Sequence, residues 1–530
     1  MKIKQILTLV LLMSITIHLS AQDASFYRKY AEKGDLEAMY NLANCYINGN
    51  GGVQQDFNQA TMWLTKAAKK NYTPAQVSLA YCYLYGIGVM IDYDQALKLV
   101  QKGIRKNNAE AHYLMSQMFK EGISVPQNNS GYTKFLNSAS ALGDDNAQTE
   151  LAHLYMSGNE ELYITQDISK GLELYQKAAE QGNGEALLQL GCINRDGIEG
   201  YVTQDPEKGY QYLQAAAQTG LARALFEYGY VNLYGWGCEP NINEAVRYIS
   251  AAAEQEVPNA YKLMGDIYYY GLGVEANDVD AAQWYQKAVD AGYGNAYSQL
   301  AWMYLVGRGV PTNEVKGYQF YKQSADAGYA EGYAGLGLCY ENGSGVTQNL
   351  STAVSNYKKA AEGGNNYSQY RLYRMYREGV GVSKNDQEAL QYLRQAADAE
   401  YPDALWSLGA EYVMGEILHV EESKGLEYMT KAADNGYTFG AAVLGTLYYS
   451  GENLVEKDYE KAFKYLSEAV KDASSINNDL LAEVYRDLGA CYRFGRGTNV
   501  DHSLASYYTE QAAALGDTKS FDAVKMLRNN

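Results

Sequence analysis

Ser355 and Lys358 form a Ser-x-x-Lys pattern, which in some acyl-transfer enzymes supplies the nucleophilic serine and a lysine base. The Ser-Asp-Asn and Lys-Thr-Gly motifs that accompany this chemistry are absent, as are HExxH, GxSxG, the phosphate-binding loop and GxGxxG. A serine-containing chain of 530 residues shows about one Ser-x-x-Lys match by chance. We therefore predict that the protein is not an enzyme and uses no cofactor.

The histidines give no sign of a metal site. Beyond residue 21 the chain has four, His112, His153, His419 and His502. They lie far apart in sequence, whereas metal-binding histidines typically recur within a few residues of one another. We predict that no metal is bound and that these histidines are surface or partly buried residues.

The strongest signal in the chain is a period of 36 residues. The segment 260–295 reads AYKLMGDIYYYGLGVEANDVDAAQWYQKAVDAGYGN, and similar segments start at Ala296 and Gly332. A recurring period of this length is typical of a solenoid, because each repeat is one supersecondary unit that buries its apolar face only against its neighbours.

Each repeat is predicted to contain two helices. In residues 260–295 the first helix runs from Ala260 to Tyr270, with Asn259 as its cap. Ala260, Met264 and Tyr268 recur every four residues and therefore share one face. Gly271 and Gly273 end this helix, since glycine tolerates the positive φ of a C-cap and turn.

The second helix of the same repeat shows the matching pattern. Asp278 is predicted to cap it and Gly292 to end it. Its buried stripe is predicted to contain Ala281, either Trp284 or Tyr285, and Ala288.

The pattern Ala-x3-Leu-Gly-x2-Tyr-x2-Gly-x-Gly-Val, followed by Ala-x2-Trp/Tyr-x3-Ala-Ala-x2-Gly, resembles the Sel1-like repeat, a relative of the tetratricopeptide repeat. We number the repeats 1 to 13 by their starting residues, which are Ala38, Ala75, Ala111, Ala147, Ala186, Ala224, Ala260, Ala296, Gly332, Ser368, Ala404, Gly440 and Val484. The resemblance implies an all-α, right-handed superhelical solenoid of about thirteen helix-turn-helix repeats, with protein or peptide partners.

The repeat register also explains most of the cysteines. Cys45, Cys82, Cys339 and Cys491 all lie seven residues after a repeat start, where other repeats have Met, Leu, Ile or Val. We therefore expect them to be free thiols in the core. Cys192 with Cys238 is the one disulfide that the sequence leaves open. Some Sel1-like proteins with a disulfide in each repeat have been linked to β-lactams, but this chain lacks that paired pattern.

In the tetratricopeptide relatives the first helices line the concave surface of the superhelix. Transferred to this chain, the resemblance places concave positions 2, 6, 9 and 10 residues after each repeat start. The predicted partner-binding residues are Phe226, Tyr230, Tyr234, Tyr269, Tyr270, Trp302, Tyr370, Arg374 and Arg377. Two interpretations stay open: an aromatic groove for a peptide, or aromatic packing within the superhelix. Likewise, Arg374 and Arg377 could hold a partner carboxylate, or Arg374 could pair with Glu378 in its own helix.

The first residues of the chain and its net charge predict the location and the partners of the protein. Residues 1–21 combine Lys2 and Lys4 with an apolar stretch too short to span a membrane comfortably, which predicts a cleavable signal peptide and a mature start at Gln22. The net charge of −18 argues against nucleic-acid partners and anionic membrane surfaces. The predicted organisation is a signal peptide (1–21), an N-terminal capping helix (22–37), repeats 1–12 (38–470), a polar break (471–483), and repeat 13 with a C-terminal capping helix (484–530).

The predicted function is that of a periplasmic or secreted bacterial scaffold that binds a protein or peptide on its concave face. One alternative is a carbohydrate or cell-wall binder, because aromatic grooves also stack on sugars. A second alternative is a β-lactam-hydrolysing enzyme of the cysteine-rich Sel1-like type. The sequence does not identify the partner or the oligomeric state.

Overall fold

The computed structural model describes residues 24–451 and 454–520. The predicted signal peptide and the end of the predicted C-terminal capping helix lie outside the described residues. The chain divides into two compact units, an N-terminal unit that ends at Ala276 and a C-terminal unit that begins at Asn277. We describe the two units separately.

The N-terminal unit is built from α-helices. In chain order they are α1 (Ala24–Ala31), α2 (Leu36–Asn48), α3 (Phe57–Lys69), α4 (Thr73–Tyr85), α5 (Tyr93–Ile104), α6 (Ala109–Glu121), α7 (Asn129–Ala141), α8 (Asp145–Ser157), α9 (Ile168–Glu180), α10 (Gly184–Asp196), α11 (Pro206–Gln218), α12 (Ala222–Tyr234), α13 (Ile242–Glu254) and α14 (Pro258–Tyr270). From α2 onward, even-numbered helices are the first helices of repeats and odd-numbered helices are the second.

The C-terminal unit continues the same alternation. Its helices are α15 (Asp278–Asp290), α16 (Ala296–Val306), α17 (Glu314–Asp326), α18 (Ala330–Asn342), α19 (Leu350–Glu362), α20 (Asn366–Glu378), α21 (Asp386–Asp398), α22 (Pro402–Met414), α23 (Glu422–Asp434), α24 (Thr438–Ser450), α25 (Tyr459–Ala469), α26 (Asn478–Phe494) and α27 (His502–Ala514). A short 3₁₀-helix, Val470–Ser475, overlaps the start of the segment 471–483 that was predicted as a polar break, and α26 begins within that segment.

The predicted all-α solenoid of tandem helix pairs is confirmed. Inside each unit, the two helices of a repeat pack together and the second helix packs on the first helix of the next repeat. The described residues contain no strand, only isolated bridges between Asn159 and Ile164 and between Ile198 and Val202. Both bridges lie in the longer turns of repeats 4 and 5.

Two predicted caps are wrong. Helix α14 begins at Pro258, and its N-cap is Val257 rather than Asn259, because proline fits the first helical position without an N–H to satisfy. Helix α15 is capped by Asn277 rather than Asp278, and the Asn277 side chain accepts hydrogen bonds from the N–H groups of Val279 and Asp280 (3.0 and 3.2 Å).

The predicted faces of the two helices of repeat 7 are buried except at one position. Ala260 and Met264 are buried in α14, while Tyr268 is only half-buried. In α15 the aromatic residue of the buried stripe is Tyr285, not Trp284.

Four of the cysteines lie in the core, at the position predicted from the repeat register. Cys82, Cys339 and Cys491 are buried free thiols, and Cys45 is buried at the equivalent position. Burial raises the pKa of the Cys82 thiol to about 12, as expected of a cysteine that packs as a small apolar residue. Cys192 and Cys238 are half-buried free thiols, so the disulfide between them that the sequence left open is not formed.

The second glycine of the turn brings neighbouring repeats into close contact. Gly309 has φ +71, and a Cβ atom placed on it would lie 2.0 Å from the carbonyl oxygen of Asp278, the first residue of α15 in the preceding repeat. Equivalent glycines make the same approach to the first residue of the preceding repeat's second helix: Gly88 to Phe57, Gly237 to Pro206, Gly345 to Glu314, Gly381 to Leu350 and Gly497 to Tyr459. A side chain at this position would push two repeats apart.

We predict that Gly309→Ala destabilises the chain by about 2–4 kcal/mol, because it combines a left-handed backbone with a collision between repeats. Gly328→Ala is the matched control, since Gly328 has φ +87 but no atom within 4 Å of the added Cβ. The control should cost only the backbone strain of about 1–2 kcal/mol. Urea unfolding followed by circular dichroism measures both variants. Equal losses of unfolding free energy in the two variants would show that the close approach between repeats does not contribute to stability.

Candidate functional site

A continuous row of aromatic rings lies on α12 and the turn that follows it. The ring centroids of Phe226 and Tyr230 are 6.0 Å apart, and those of Tyr230 and Tyr234 are 4.7 Å apart. Trp236 joins the row at 5.4 Å from Tyr230, with the two ring planes at 81°. Arg195 lies over Trp236, with its guanidinium carbon 5.6 Å from the ring centroid. We call Phe226, Tyr230, Tyr234 and Trp236 the aromatic row.

Helix α14 adds polar and aromatic groups beside this row. Lys262 pairs with Asp266 (2.5 Å), and the rings of Tyr269 and Tyr270 contact each other at 4.9 Å. Burial raises the pKa of Tyr234, and the nearby Tyr230 and Asp266 raise it further. Helices α12 and α14 therefore present their predicted binding residues to one shared surface, which we call the first-helix surface of the N-terminal unit.

A cavity of about 440 Å³ lies on the same surface, in repeats 3 to 6. Its lining comes from four first helices and from the residues just before two of them, together with Gln255 directly after α13. The residues include Tyr113, Gln117 and Lys120 on α6, Asn146, Thr149, Glu150 and His153 on α8, Asn183 to Glu185 at the start of α10, and Thr219 to Ala222 at the start of α12. The aromatic row begins one turn beyond Ala222, so the cavity and the row adjoin.

Glu150 organises one wall of the cavity. Its carboxylate accepts hydrogen bonds from Gln117 (2.7 Å) and Tyr132 (2.8 Å), and it pairs with Lys120 (2.5 Å). Lys120 is therefore already neutralised within the protein, and this wall adds no net charge to the cavity.

His153 lies one turn after Glu150 on α8 and also lines the cavity. The Tyr175 hydroxyl lies 2.6 Å from Nδ1 of His153, within hydrogen-bond distance. Burial raises the pKa of Tyr175 and lowers the pKa of His153, so both side chains are neutral at pH 7. Nε2 lies 3.9 Å from Oε1 of Glu185, too far for a hydrogen bond. The same Oε1 accepts a hydrogen bond from Nε2 of Gln189 (2.7 Å).

Most of the predicted site residues of the C-terminal unit contact other residues of the chain. Trp302 on α16 is 41% exposed. Tyr370 is half-buried: its ring centroid lies 5.7 Å from that of Tyr401, and its hydroxyl lies 3.2 Å from Oγ of Ser407. Arg374 pairs with Glu378 in its own helix (3.6 Å).

Arg377 is surrounded by carboxylates. Its guanidinium lies 3.3 Å from Asp386 and 3.6 Å from the buried carboxylate of Glu411, and it also pairs with Glu416. A partner carboxylate at Arg377 would have to displace these contacts, so Arg377 acts first as a structural residue.

Sequence reasoning missed Trp236 and the cavity residues, for different reasons. Trp236 lies in the turn, outside the four concave positions. Tyr113, Gln117 and His153 do occupy those positions in repeats 3 and 4, but the predicted binding residues come only from repeats 6, 7, 8 and 10. Applying the four positions to every repeat would have found these three residues.

The Ser-x-x-Lys pair has no catalytic arrangement. Ser355 is exposed on α19, and Lys358 lies over the ring of Tyr376, 5.3 Å from its centroid. A hydrogen bond to Tyr376 raises the pKa of Lys358, which keeps the amine protonated and unable to act as a base. Within residues 24–451 and 454–520, no group of three or more His, Cys, Asp or Glu could hold a metal ion. None of the helices in these residues combines the length and the apolarity that crossing a membrane requires.

Comparison with known proteins identifies the same series of repeats. A family model described as "Sel1 repeat" matches residues 36–72, 73–108, 109–132, 145–183, 184–221, 222–257, 258–293, 294–329, 330–365, 366–401, 402–437, 439–473 and 482–517. The structure of c5321, a protective antigen of uropathogenic Escherichia coli with an SLR fold, has a TM-score of 0.55 and 24% identity; the match covers 95% of this chain and 97% of that chain. That likeness shows the fold alone.

Two curated relatives match over shorter stretches. Chitin synthase regulator SKT5 of Saccharomyces cerevisiae is 28% identical over 174 residues, which is 31% of this chain and 24% of the relative. Human protein sel-1 homolog 2 is 31% identical over 102 residues, which is 19% of this chain and 15% of the relative. The matches therefore cover only about a quarter or less of the length of these two relatives.

Tandem helix pairs that bury their apolar faces against neighbouring repeats define a helical-repeat solenoid. The chain belongs to the Sel1 repeat family, with thirteen matched repeats. This architecture is that of a repeat scaffold, typically non-enzymatic, and it is consistent with protein interaction.

We predict that Arg377→Met destabilises the chain by about 1–3 kcal/mol, because it leaves the buried Glu411 carboxylate without its cationic partner. Arg374→Met is the control on the same helix: its exposed pair with Glu378 should contribute less than about 1 kcal/mol. Urea unfolding compares the two variants. Adding Glu411→Gln should recover part of the loss from Arg377→Met, and no recovery would contradict a structural role for this pair.

Proposed function

We propose that this protein is an exported scaffold that binds an extended polypeptide segment on the first-helix surface of its N-terminal unit. The observation that carries the proposal is the aromatic row together with Tyr270. In this row Tyr234 is 50% exposed, and Tyr270 beside it is 68% exposed. Clustered, exposed aromatic residues on a soluble protein are typical of contact sites. Tyrosine and tryptophan dominate binding hot spots because they offer a large rigid ring and a polar tip.

The polar cavity complements the aromatic row. Gln117, Asn146, Asn183 and Gln255 place side-chain amides in its lining. Each of these amide nitrogens carries two N–H groups and donates at least one hydrogen bond within the chain. Such groups suit the backbone of an extended peptide, whose N–H and C=O groups need partners when they leave water. A segment lying from the cavity along α12 would place its backbone against the amides and apolar side chains against the rings.

We predict that changing Tyr230, Tyr234 and Tyr270 together to Ala weakens partner binding at least tenfold, because the main apolar contact area is lost. The measurement is crosslinking capture from the native source, followed by an affinity measurement with the captured protein. Changing Tyr163 and Tyr201 to Ala provides the control. Both are exposed tyrosines in the longer turns of repeats 4 and 5, away from the first-helix surface.

Circular dichroism of each variant checks that the helices remain folded. Loss of binding only in the first variant supports the proposal. Equal binding by both variants would contradict it and would place the partner elsewhere on the solenoid. A bound glycan in place of a protein would favour the carbohydrate alternative.

Export is part of the proposal and rests on residues 1–21, with their basic start and apolar stretch. We predict that the protein isolated from its native source begins at Gln22 and separates with the periplasmic or secreted fraction. N-terminal sequencing of the fractionated protein tests this. An intact Met1 in the cytoplasmic fraction would contradict export without affecting the proposed binding surface.

A further inference from the structure

The cavity beside the aromatic row has room for a large side chain. Its volume is about 440 Å³, whereas an apolar cavity of about 150 Å³ is enough to hold a benzene ring. Gly220 belongs to the lining, and a Cβ atom added there would have no atom within 4 Å. The cavity can therefore accept the largest side chains, an indole ring included.

The polar side chains of the lining are largely engaged within the chain. Glu150 pairs with Lys120 and accepts a hydrogen bond from the hydroxyl of Tyr113. The hydroxyls of Thr149 and Thr219 donate to backbone carbonyl oxygens four and three residues earlier, at 2.8 and 2.7 Å. Although most lining residues are polar, most of the surface that they present to a ligand is therefore apolar.

The lining also offers little charge to an ion. Lys120 and Glu150 neutralise each other, and His153 is neutral at pH 7. Glu185 is the remaining charged residue of the lining, and its Oε1 already accepts a hydrogen bond from Gln189 (2.7 Å). An uncharged side chain suits this cavity, because it gives up no charge hydration on entering.

Leu221 lines the cavity at a position where the three preceding repeats have polar caps. The N-cap of α12 is Leu221, and no side chain caps this helix. The N-caps of α6, α8 and α10 are Asn108, Asp144 and Asn183, and each side chain accepts a hydrogen bond from its helix. Since a polar cap stabilises a helix, repeat 6 gives up a stabilising contact at the position where it presents leucine to the cavity.

The spacing along α12 matches the spacing of side chains in an extended segment. Ala222 lines the cavity, and Phe226 begins the aromatic row four residues later. Four residues of an α-helix rise about 6 Å, and side chains on one side of an extended segment recur about every 6.6 Å. A segment lying along α12 can therefore place one side chain in the cavity and the next on the same side against the row.

We propose that the cavity binds one bulky aromatic side chain, of the size of tryptophan, from the polypeptide held on the first-helix surface. The inference rests on the proposed function, since it names the side chain that anchors the bound segment. The ring would pack against the carbon atoms of Tyr113, Leu221 and Ala222.

The test uses a fluorescein-labelled decapeptide of glycine and serine with one central tryptophan, together with the full chain and fluorescence anisotropy. Matched peptides carry leucine or alanine at the central position. We expect the alanine peptide to bind at least about tenfold more weakly than the tryptophan peptide, because its binding buries much less apolar surface. The leucine peptide should bind with an affinity between these two.

The first variant blocks the cavity. Ala222→Trp adds a ring of the chain's own to the lining and should weaken binding of the tryptophan peptide at least about tenfold. Ala109→Trp is the matched control, because Ala109 is also half-buried and is the first residue of α6, as Ala222 is of α12, but lies outside the cavity lining. This control should leave the affinity unchanged.

The second variant adds no bulk. Leu221→Asn gives α12 the kind of cap that α10 has in Asn183, so the urea midpoint should stay the same or rise. Because it removes apolar lining, it should nevertheless weaken binding of the tryptophan peptide about threefold or more. Val257→Asn makes the same kind of change at the N-cap of α14, outside the cavity lining, and should not alter the affinity.

Equal binding of the tryptophan and alanine peptides, or binding of neither, would overturn the inference. Unchanged affinity for the tryptophan peptide in Ala222→Trp and Leu221→Asn would also overturn it. If this peptide loses affinity only when Tyr230, Tyr234 and Tyr270 are changed, its ring binds the aromatic row, and the cavity inference is wrong while the binding surface stands. The proposed function fails separately, if the captured partner binds equally well after those three tyrosines are changed.

Discussion

The close approach between a turn glycine and the preceding repeat is the constraint on which the rest of the structure depends. At Gly309 there is no room for a Cβ atom beside the carbonyl oxygen of Asp278, and the same contact recurs in both units. In the repeats that have this glycine, it fixes how close the turn lies to the second helix of the repeat before it. Since no repeat buries its apolar face alone, this spacing determines whether the alanine-rich stripes meet.

Because the turn glycines set the spacing of the repeats, the residues of the first-helix surface are not needed to form the core. Positions 2, 6, 9 and 10 after each repeat start lie largely outside the buried stripes, so they can vary without unfolding the array. The N-terminal unit uses that freedom to place an amide-lined cavity and a row of aromatic rings on adjoining repeats. The C-terminal unit uses it at Arg377 for contacts between repeats.

The sequence predicts the helix pairs well because period, turn glycines and small core residues are all local signals. It predicts the cap at Asn277 poorly, since Asn277 and Asp278 are both good caps and only the backbone decides between them. It cannot show that Tyr370 contacts Tyr401 or that Arg377 reaches Glu411, because those contacts depend on the geometry between repeats.

Hydrogen–deuterium exchange of the full chain, with and without the partner captured from the native source, tests the account most directly. The account predicts slower exchange on binding in the first helices α6, α8, α12 and α14, and little change in the second helices α7, α9 and α13. Protection confined to those second helices, or to the longer turns of repeats 4 and 5, would contradict the first-helix surface as the binding site.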